Sequence, residues 1–503
     1  MRVTVQVCIE GAASRPVTVQ LHAIDRPCDQ VRDVGLALGE AKSILGKLQQ
    51  ALVQEQLNHY LYDHRACPHC RRSRAIKGYH PLRFRTALGD IDLRSPRWRR
   101  CRCEQSREAT FCPLSELLTV HTSPELAYLE AKWAAQVSFA SVRALLQEVL
   151  PIEHGLREEI IRQHVLAIAE RLEAQLGPEQ FAYDGGSQRE IEASPEPAAP
   201  ITVGLDGGYV RGRERLPSAN GCFEVIAGKS IPEEGPAKVF AFVHRIDRKP
   251  KRRLRAVLES QGILPRQHIT FLCDGGDTVR ELGAFVHPRS EHILDWFHVA
   301  MRIEQLLQMT RGLQSAEKPE LLKGFERIKW FLWHGNVMRA DETLYDLLEE
   351  IDGVREQDWQ AARPPSVVLR KLDRALDEFA TYVDNNAGAI VNYGERYRCG
   401  ERISTGFVES AVNQVISKRF VKKQQMRWTP RGAHLLLQVR TQVLNDELHA
   451  SFKRWYPGFG ARGTACTGRG FHNGVRDTGR RSSRSLRAPG MHQARVAAAC
   501  MVR

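Results

Sequence analysis

The stretch ITVGLDGGYV, residues 201–210, is an apolar run that ends in an acid followed by two glycines. The pattern returns as ITFLCDGG at residues 269–276. Short apolar runs bounded by glycine are typical of buried β-strands. The two stretches therefore predict two buried strands, each delivering an aspartate, Asp206 or Asp274, at its tip. A third copy, AYDGG at 182–186, lacks a preceding apolar run, so it predicts only a turn.

The order of elements around these stretches indicates the fold class. Three strand-like segments come first, and helix and strand then alternate up to SEHILDWFH at 290–298, which a long helix follows. This order predicts an α/β fold with an RNase H-like mixed sheet as the catalytic core. In such a sheet the first and fourth strands lie side by side, so we expect Asp206 and Asp274 to emerge close together.

Two carboxylates at neighbouring strand tips can share a pair of Mg²⁺ ions, which prefer oxygen ligands and can act together on a phosphodiester. The glycines after each acid are expected to let a phosphate backbone approach the ions. A third ligand is needed, and the best candidate is Glu409, in a helix that Ser404 or Thr405 can cap. Glu395 and Glu401 are the alternatives.

Five segments then carry a resemblance: GLDGGYVR, FLCDGGDTVRELGAFV, ILDWFHVAMRIEQL, KWFLWHGN and STGFVESAVNQVISKRFVKKQQMRW. They resemble the bacterial DDE transposases of the ISKra group, distant relatives of Mutator-like elements, over roughly residues 200–456. The resemblance implies that Asp206, Asp274 and Glu409 are the catalytic triad and bind two Mg²⁺ ions. It also implies a helical insertion at about residues 300–400.

Asp295 and His298 match a C/D-x-x-H signature of related transposases. From the residues themselves, the two lie one helical turn apart and face the same way. Two ligands make an incomplete metal site, so we expect a hydrogen-bonded pair that braces the triad or touches DNA. An inert pair at a helix start is the alternative.

The front half contains four closely spaced cysteines around a predicted hairpin with a Gly-Asp turn. Thiolates in two such pairs suit a tetrahedral zinc ion, and the spacing predicts a zinc ribbon with structural Zn²⁺. His69 could replace one cysteine, and four buried free thiols are the alternative. The expected ligands are Cys67, Cys70, Cys101 and Cys103.

Two helical segments separated by a break at 151–155 predict a helix-turn-helix-like domain, although such hairpins also occur in proteins that never bind DNA. Its second helix would bring Arg157, Arg162, Gln163 and His164 near a DNA groove. A basic cluster after Glu409 is placed to contact phosphates. Its expected contacts are Lys418, Arg419, Lys422, Lys423 and Arg427.

Composition is consistent with a globular protein that binds a polyanion. Net charge is +14, and the tail from Gly458 carries nine Arg and one Asp, hence +8. The tail lacks periodicity, which predicts a disordered appendage. The chain begins without a signal-peptide pattern and has no apolar run of membrane-spanning length, so a cytoplasmic, nucleoid-associated bacterial protein without membrane contact is expected.

These patterns predict a transposase that binds element ends in double-stranded DNA, frees a 3′-hydroxyl and transfers it to target DNA. Because two ends must be held together, a homodimer or larger assembly is expected. The alternatives are a structure-specific RNase H-like nuclease and an inactive, transposase-derived DNA-binding protein. The expected domains are an N-terminal hairpin and helix at 1–62, the zinc ribbon at 63–122, the helix-turn-helix-like domain at 123–184, a linker at 185–200, the catalytic domain at 201–456 and the tail at 457–503.

Overall fold

A computed structural model of the chain describes residues 1–460 except 11–15, 27–29, 32–33, 105–107, 153–154, 179–199, 214–220, 265, 277–281, 283–289, 314–317, 361–366 and 422–425. Contacts group Met1–Phe459 into one compact unit, so domain boundaries inside that unit stay predictions. Several predictions lie outside the described residues: the turn at 182–186, nearly all of the linker, nearly all of the segment DTVRELGAFV at 277–286, the contacts of Lys422 and Lys423, and nearly all of the basic tail.

The strands form three sheets. β1 and β2 make a two-stranded hairpin, and β3, β4 and β5 make a three-stranded antiparallel sheet. The remaining five strands form one mixed sheet. The strands are β1 (Arg2–Ile9), β2 (Val17–Asp25), β3 (Ile76–Thr86), β4 (Gly89–Arg99), β5 (Thr110–Phe111), β6 (Ile201–Arg211), β7 (Cys222–Pro232), β8 (Lys238–Val243), β9 (Ile269–Cys273) and β10 (Ser290–Leu294).

The mixed sheet has the order β10-β9-β6-β7-β8. β6, β7 and β8 pair antiparallel, while β9 and β10 run parallel to β6. The predicted adjacency of the first and fourth strands is therefore confirmed. Alternate residues of β7 point to opposite faces: Val225 belongs to one apolar core and Ile226 to another. A sheet covered on both faces needs continuous apolar strands, which explains runs such as VFAFV in β8.

Helices cover both faces of this sheet and make up most of the described chain between β10 and Trp455. Five of them, α7 to α11, lie between β10 and the helix that carries Glu409. The helices are α1 (Leu38–His64), α2 (Pro113–Leu117), α3 (Pro124–Ala134), α4 (Phe139–Val149), α5 (Glu158–Gln175), α6 (Pro250–Ser260), α7 (Trp296–Arg311), α8 (Lys318–Trp333), α9 (Val337–Gln360), α10 (Val367–Asn385), α11 (Tyr393–Arg398), α12 (Gly406–Val412), a π-helix (Asn413–Val421), α13 (Pro430–Leu444) and α14 (Leu448–Trp455).

The predicted helical pair of the front half shares an apolar core with one face of the mixed sheet. Ile161 and Val165 of α5 are buried in the same apolar core as Val225 and residues of α13. One face of α5 is thus committed to packing. Only its opposite face is free to meet another molecule.

Candidate active site and metal centre

Asp206 lies in the middle of β6 rather than at its tip, which corrects the prediction from sequence. The strand continues for five more residues because it keeps pairing with β7 up to Arg211. On its other edge the parallel ladder with β9 ends at Gly204. Asp206 therefore lies just past the end of the parallel ladder on that edge.

The register brings the acids of three parallel strands into one row. Val203 pairs with Phe271, and Leu294 pairs with Cys273. Continuing these offsets of 68 and 21 residues places Asp206 beside Asp274 and Asp274 beside Asp295. Asp274 directly follows β9 and Asp295 directly follows β10, as carboxyl ends of parallel strands require.

Glu409 reaches the same row because α12 lies flat against β6. A Cβ at Gly204 would overlap the side chain of Val408 and lie 2.7 Å from Phe407, and a Cβ at Gly208 would lie 2.9 Å from Ile416. These two glycines bracket Asp206, and the helical residues above them bracket Glu409. The sequence argument that the glycines admit DNA is therefore wrong for Gly208, whose space the π-helix occupies.

The structure also explains why residue 275 is a glycine. Its φ is +88°, in the left-handed region that favours glycine, and an added Cβ would lie 2.6 Å from Oδ1 of Asn386. The neighbouring Tyr382 donates a hydrogen bond from its hydroxyl to the Asp274 carbonyl oxygen at 3.1 Å. Helix α10 thus fixes the backbone that carries Asp274.

The acids influence one another electrostatically. Burial raises the pKa of Asp206, and the negative charges of Asp274 and Glu409 raise it further. The hydrogen bond from the Gly207 N–H and the charge of His298 act in the opposite direction. Bound cations would relieve this repulsion, and an all-carboxylate set suits Mg²⁺. The four side chains, three acidic and one basic, therefore share one electrostatic environment.

The triad is not drawn together around a single point. Among the described residues, two groups of potential ligands have all their donor atoms within 4.8 Å of one another, and the three acids are not one of them. Glu409 is exposed, whereas Asp206 and Asp274 are half-buried. These three acids therefore do not form a ready site for a single metal ion.

Asp295 is fully buried and connects several elements. Its Oδ1 accepts the Phe297 N–H at 2.8 Å at the start of α7, and its Oδ2 accepts the Thr405 hydroxyl. The ring of His298 lies 3.6 Å from the same oxygen. Thr405 is the N-cap residue of α12, but its hydroxyl serves Asp295 and makes no cap hydrogen bond. Asp295 therefore ties the helix of Glu409 to the end of β10.

Of the two alternatives to Glu409, Glu401 lies at the opposite end of the strands. Glu401 accepts from Arg396 at 2.8 Å, and Arg396 also pairs with Glu291 near the start of β10. That end of the strand is opposite to the end that Asp295 follows. Glu395 is exposed in α11 and is hydrogen-bonded to Asn392.

The four cysteines form a group that can hold a metal ion. Their sulfurs all lie within 4.8 Å of one another, with the pairs Cys67–Cys103 and Cys70–Cys101 each at 3.4 Å. Four sulfurs bound to zinc at about 2.3 Å would be about 3.8 Å apart. Hydrogen bonds, first from the Cys103 N–H, lower the pKa of Cys101 to about 7, which favours the thiolate that zinc requires. His69 is not a member of this group.

A second group of possible ligands, unexpected from the sequence, comprises Glu173, Asp247 and His434. Arg253 already occupies its centre, at 2.8 Å from both carboxylates. Burial opposes ionisation of Glu173, but His434 and Arg253 outweigh it and lower its pKa to about 2. The buried guanidinium supplies the cation, so this group ties α5 to α6 and α13.

The predicted DNA contacts fall into three sets. Arg157, Arg162, Gln163, Lys418 and Arg427 are exposed, although Arg162 already pairs with Glu159 at 2.6 Å. Lys422 and Lys423 lie outside the described residues. His164 is engaged on both ring nitrogens, by Glu130 at 2.6 Å and Thr122 at 3.1 Å.

The prediction for Arg419 is wrong. Its side chain is fully buried, donates from Nε to the Ala134 carbonyl oxygen at 2.8 Å and lies over the rings of Phe139 and Trp428. Burial, together with the charge of Arg440, lowers the pKa of Arg419 to about 9, so it remains a cation near neutral pH. Residues 413–421 form a π-helix, and a change of helical period of this kind alters which side chains face inward.

Comparisons with known proteins add little. No family model and no curated protein matches the chain. Among solved structures, it is similar to a Drosophila P element transposase strand transfer complex, with 12% identity over 65% of this chain and 93% of that chain and a TM-score of 0.28. At that TM-score nothing is inferred from the likeness, and the resemblance to the ISKra group stays a prediction. Within the described residues, no helix is both long and apolar enough to cross a membrane.

Proposed function

We propose that this chain is a transposase that cuts phosphodiester bonds of double-stranded DNA, with Asp206, Asp274 and Glu409 as the ligands of two Mg²⁺ ions. The observation that carries the proposal is that the charges of Asp274 and Glu409, 68 and 203 residues further along the chain, both act on Asp206. The order β10-β9-β6-β7-β8 of the mixed sheet supports an RNase H-like core.

Each residue of the site would have a separate role in the reaction. Bound Mg²⁺ would activate the attacking oxygen and stabilise the leaving oxygen of the phosphodiester. The three carboxylates would hold the ions, and Asp295, through Thr405, would hold the helix of Glu409. In hydrolysis, a water oxygen forms a new bond to phosphorus while the bond to O3′ breaks. O3′ takes a proton, leaving a 3′-hydroxyl and a 5′-phosphate.

Strand transfer is the finer part of the proposal and is supported by the sequence resemblance. The freed 3′-hydroxyl would take the place of water: it would lose its proton and bond to a phosphorus of the target DNA, while that phosphorus loses its bond to the target's own O3′, which takes up a proton. Holding two element ends favours a homodimer or larger assembly. We also propose that the four cysteines hold a structural Zn²⁺ ion and that the exposed Arg157, Lys418 and Arg427 contact DNA.

The test uses labelled DNA carrying the native element ends, a target plasmid and Mg²⁺. The wild-type protein should cut the ends and join them to the plasmid, whereas Asp206→Asn, Asp274→Asn and Glu409→Gln should each lose at least about 100-fold in rate, as expected for losing electrostatic stabilisation of the transition state. Glu395→Gln is the matched control, because it removes an exposed carboxylate outside the row.

Each outcome selects one function. Cutting without joining identifies a nuclease. DNA binding with no metal-dependent cutting, unaffected by Asp206→Asn, identifies an inactive DNA-binding protein. Loss of cutting in Glu395→Gln but not in Glu409→Gln would show that the third ligand has been misassigned.

A further inference from the structure

The cationic side chain of Arg302 lies near the row of acids formed by Asp206, Asp274, Asp295 and Glu409. Arg302 follows His298 by one turn of α7 and is exposed. Its guanidinium carbon lies 4.2 Å from the centre of the Tyr382 ring. The hydroxyl of that ring donates to the Asp274 carbonyl oxygen at 3.1 Å. A single aromatic ring therefore separates Arg302 from the backbone of a proposed metal ligand.

Arg302 differs from several arginines of the same helical region. Within the part of the chain that the structure describes, no carboxylate oxygen lies within 4.0 Å of its nitrogens. Other arginines between 300 and 400 are ion-paired at 2.8–3.1 Å, namely Arg311 with Glu304, Arg355 with Asp352 and Asp373, Arg374 with Glu378, and Arg396 with Glu401. The acids near Arg302 thus leave its donors available to an incoming anion.

Stacking prepares the guanidinium for an anion. A guanidinium that lies over an aromatic ring is held by its face and keeps the N–H groups at its edge free. Those groups match two oxygens of a phosphate, which an ammonium group cannot do. Burial raises the pKa of Tyr382, so the ring remains neutral and its hydroxyl remains a donor to Asp274.

We propose that Arg302 binds a phosphate of the DNA backbone next to the bond to be cut, and that Tyr382 fixes the distance between this phosphate and Asp274. The inference rests on the proposed function for the identity of the polymer and deepens it, because it assigns a phosphate-binding site to the helical region between β10 and α12. Arg302 is a positioning residue in this scheme, since it sets where the strand lies.

The first test measures DNA binding without Mg²⁺, by fluorescence anisotropy over a series of salt concentrations. One lost phosphate contact should reduce the slope of log K against log salt by about 0.9. Arg302→Ala should show this loss, and Arg302→Lys should regain the slope because it restores the charge. Arg370→Ala, another exposed arginine without an ion pair in this region, should leave the slope unchanged.

The second test measures cleavage. Arg302→Lys should cut more slowly than wild type at saturating DNA, because the ammonium group of lysine does not hold a phosphate in one orientation as the two parallel N–H groups of a guanidinium do. Tyr382→Phe keeps the ring under Arg302 but frees the Asp274 backbone, so it should retain the salt slope and lose cleavage rate at saturating DNA.

The outcomes separate this inference from the proposed function. An unchanged salt slope in Arg302→Ala, or an equal loss in Arg370→Ala, overturns the phosphate contact even if the wild type cuts DNA. A lost slope in Arg302→Ala alone supports the contact even if the wild type fails to cut, and the catalytic proposal then fails by itself. Far-ultraviolet circular dichroism of each variant checks folding, and Arg302→Lys keeps the charge test available if the alanine variant unfolds.

Discussion

The close approach of α12 to β6 predicts a graded response to adding one methyl group along the GLDGG stretch. At Gly204 an added Cβ would overlap Val408 and lie 2.7 Å from Cζ of Phe407, both packed in the interface. At Gly208 it would lie 2.9 Å from the end of the Ile416 side chain, which can turn away. At Gly207 the nearest atom is Oε1 of Glu224 at 3.4 Å, an ordinary contact.

These distances set the expected changes in the free energy of unfolding. Overpacking costs about 1–3 kcal/mol, and replacing glycine restricts the unfolded chain and returns about 0.4–1 kcal/mol. Gly204→Ala should therefore lose about 1–2 kcal/mol, Gly208→Ala should change by less than about 1 kcal/mol, and Gly207→Ala should be neutral or slightly stabilised. The order follows how easily each neighbour can move.

Activity should follow the same order, because α12 carries Glu409. A shift of α12 displaces this carboxylate from Asp206, and a misplacement of about 1 Å can cost about 100-fold in rate. Urea denaturation followed by tryptophan fluorescence measures stability, and Mg²⁺-dependent cleavage measures activity. If Gly204→Ala matches Gly207→Ala in both assays, α12 does not lie against β6 as described.

Two further predictions concern charge and metal. Asp206→Asn should raise the thermal midpoint of unfolding at neutral pH in buffer without Mg²⁺. Folding raises the pKa of the Asp206 carboxyl, so its ionised form destabilises the native state. The higher midpoint of the variant should therefore disappear as the pH falls through the raised pKa towards the unfolded value of 3.8. A constant difference across that range would contradict the shift. Purified protein should contain about one zinc per chain, and Cys70→Ser should lose the zinc and unfold at lower temperature, whereas Cys399→Ser, an exposed cysteine outside the group, should change neither. Full zinc content in Cys70→Ser would refute the four-cysteine site.

The local sequence pattern predicted the structure correctly wherever the conformation of a segment depends mainly on its own residues. Alternation predicted the hairpin of β3 and β4, and the structure confirms it, although the turn is Ala87-Leu88 and the predicted Gly-Asp pair begins β4. Apolar runs predicted β6 and β9 and their adjacency. The paired cysteines predicted a group that the structure does bring together. In each case the side-chain period or turn chemistry of a few neighbouring residues decides the outcome.

The local sequence pattern gave wrong predictions where a segment distant in the chain determines the surroundings of a residue. The glycines after Asp206 looked like openings for DNA, yet the space beside Gly208 is occupied by side chains from about 200 residues further along the chain. Arg419 looked like a phosphate contact because its neighbours are basic, yet carbonyl groups of α3 hold it inside. Tyr382 belongs to no motif, and Arg302 lies in the segment ILDWFHVAMRIEQL but had no predicted role.

The sequence alone determined which residue types are available and which short segments become strands and helices, because backbone preferences and hydrophobic periods act over a few residues. The tertiary structure alone decided which acids meet. Strand register places Asp206, Asp274 and Asp295 in one row. Glu409 joins this row because Gly204 and Gly208, which have no side chains, allow α12 to approach β6 closely. Register and close packing are relations between distant segments, so no single stretch of the chain contains them.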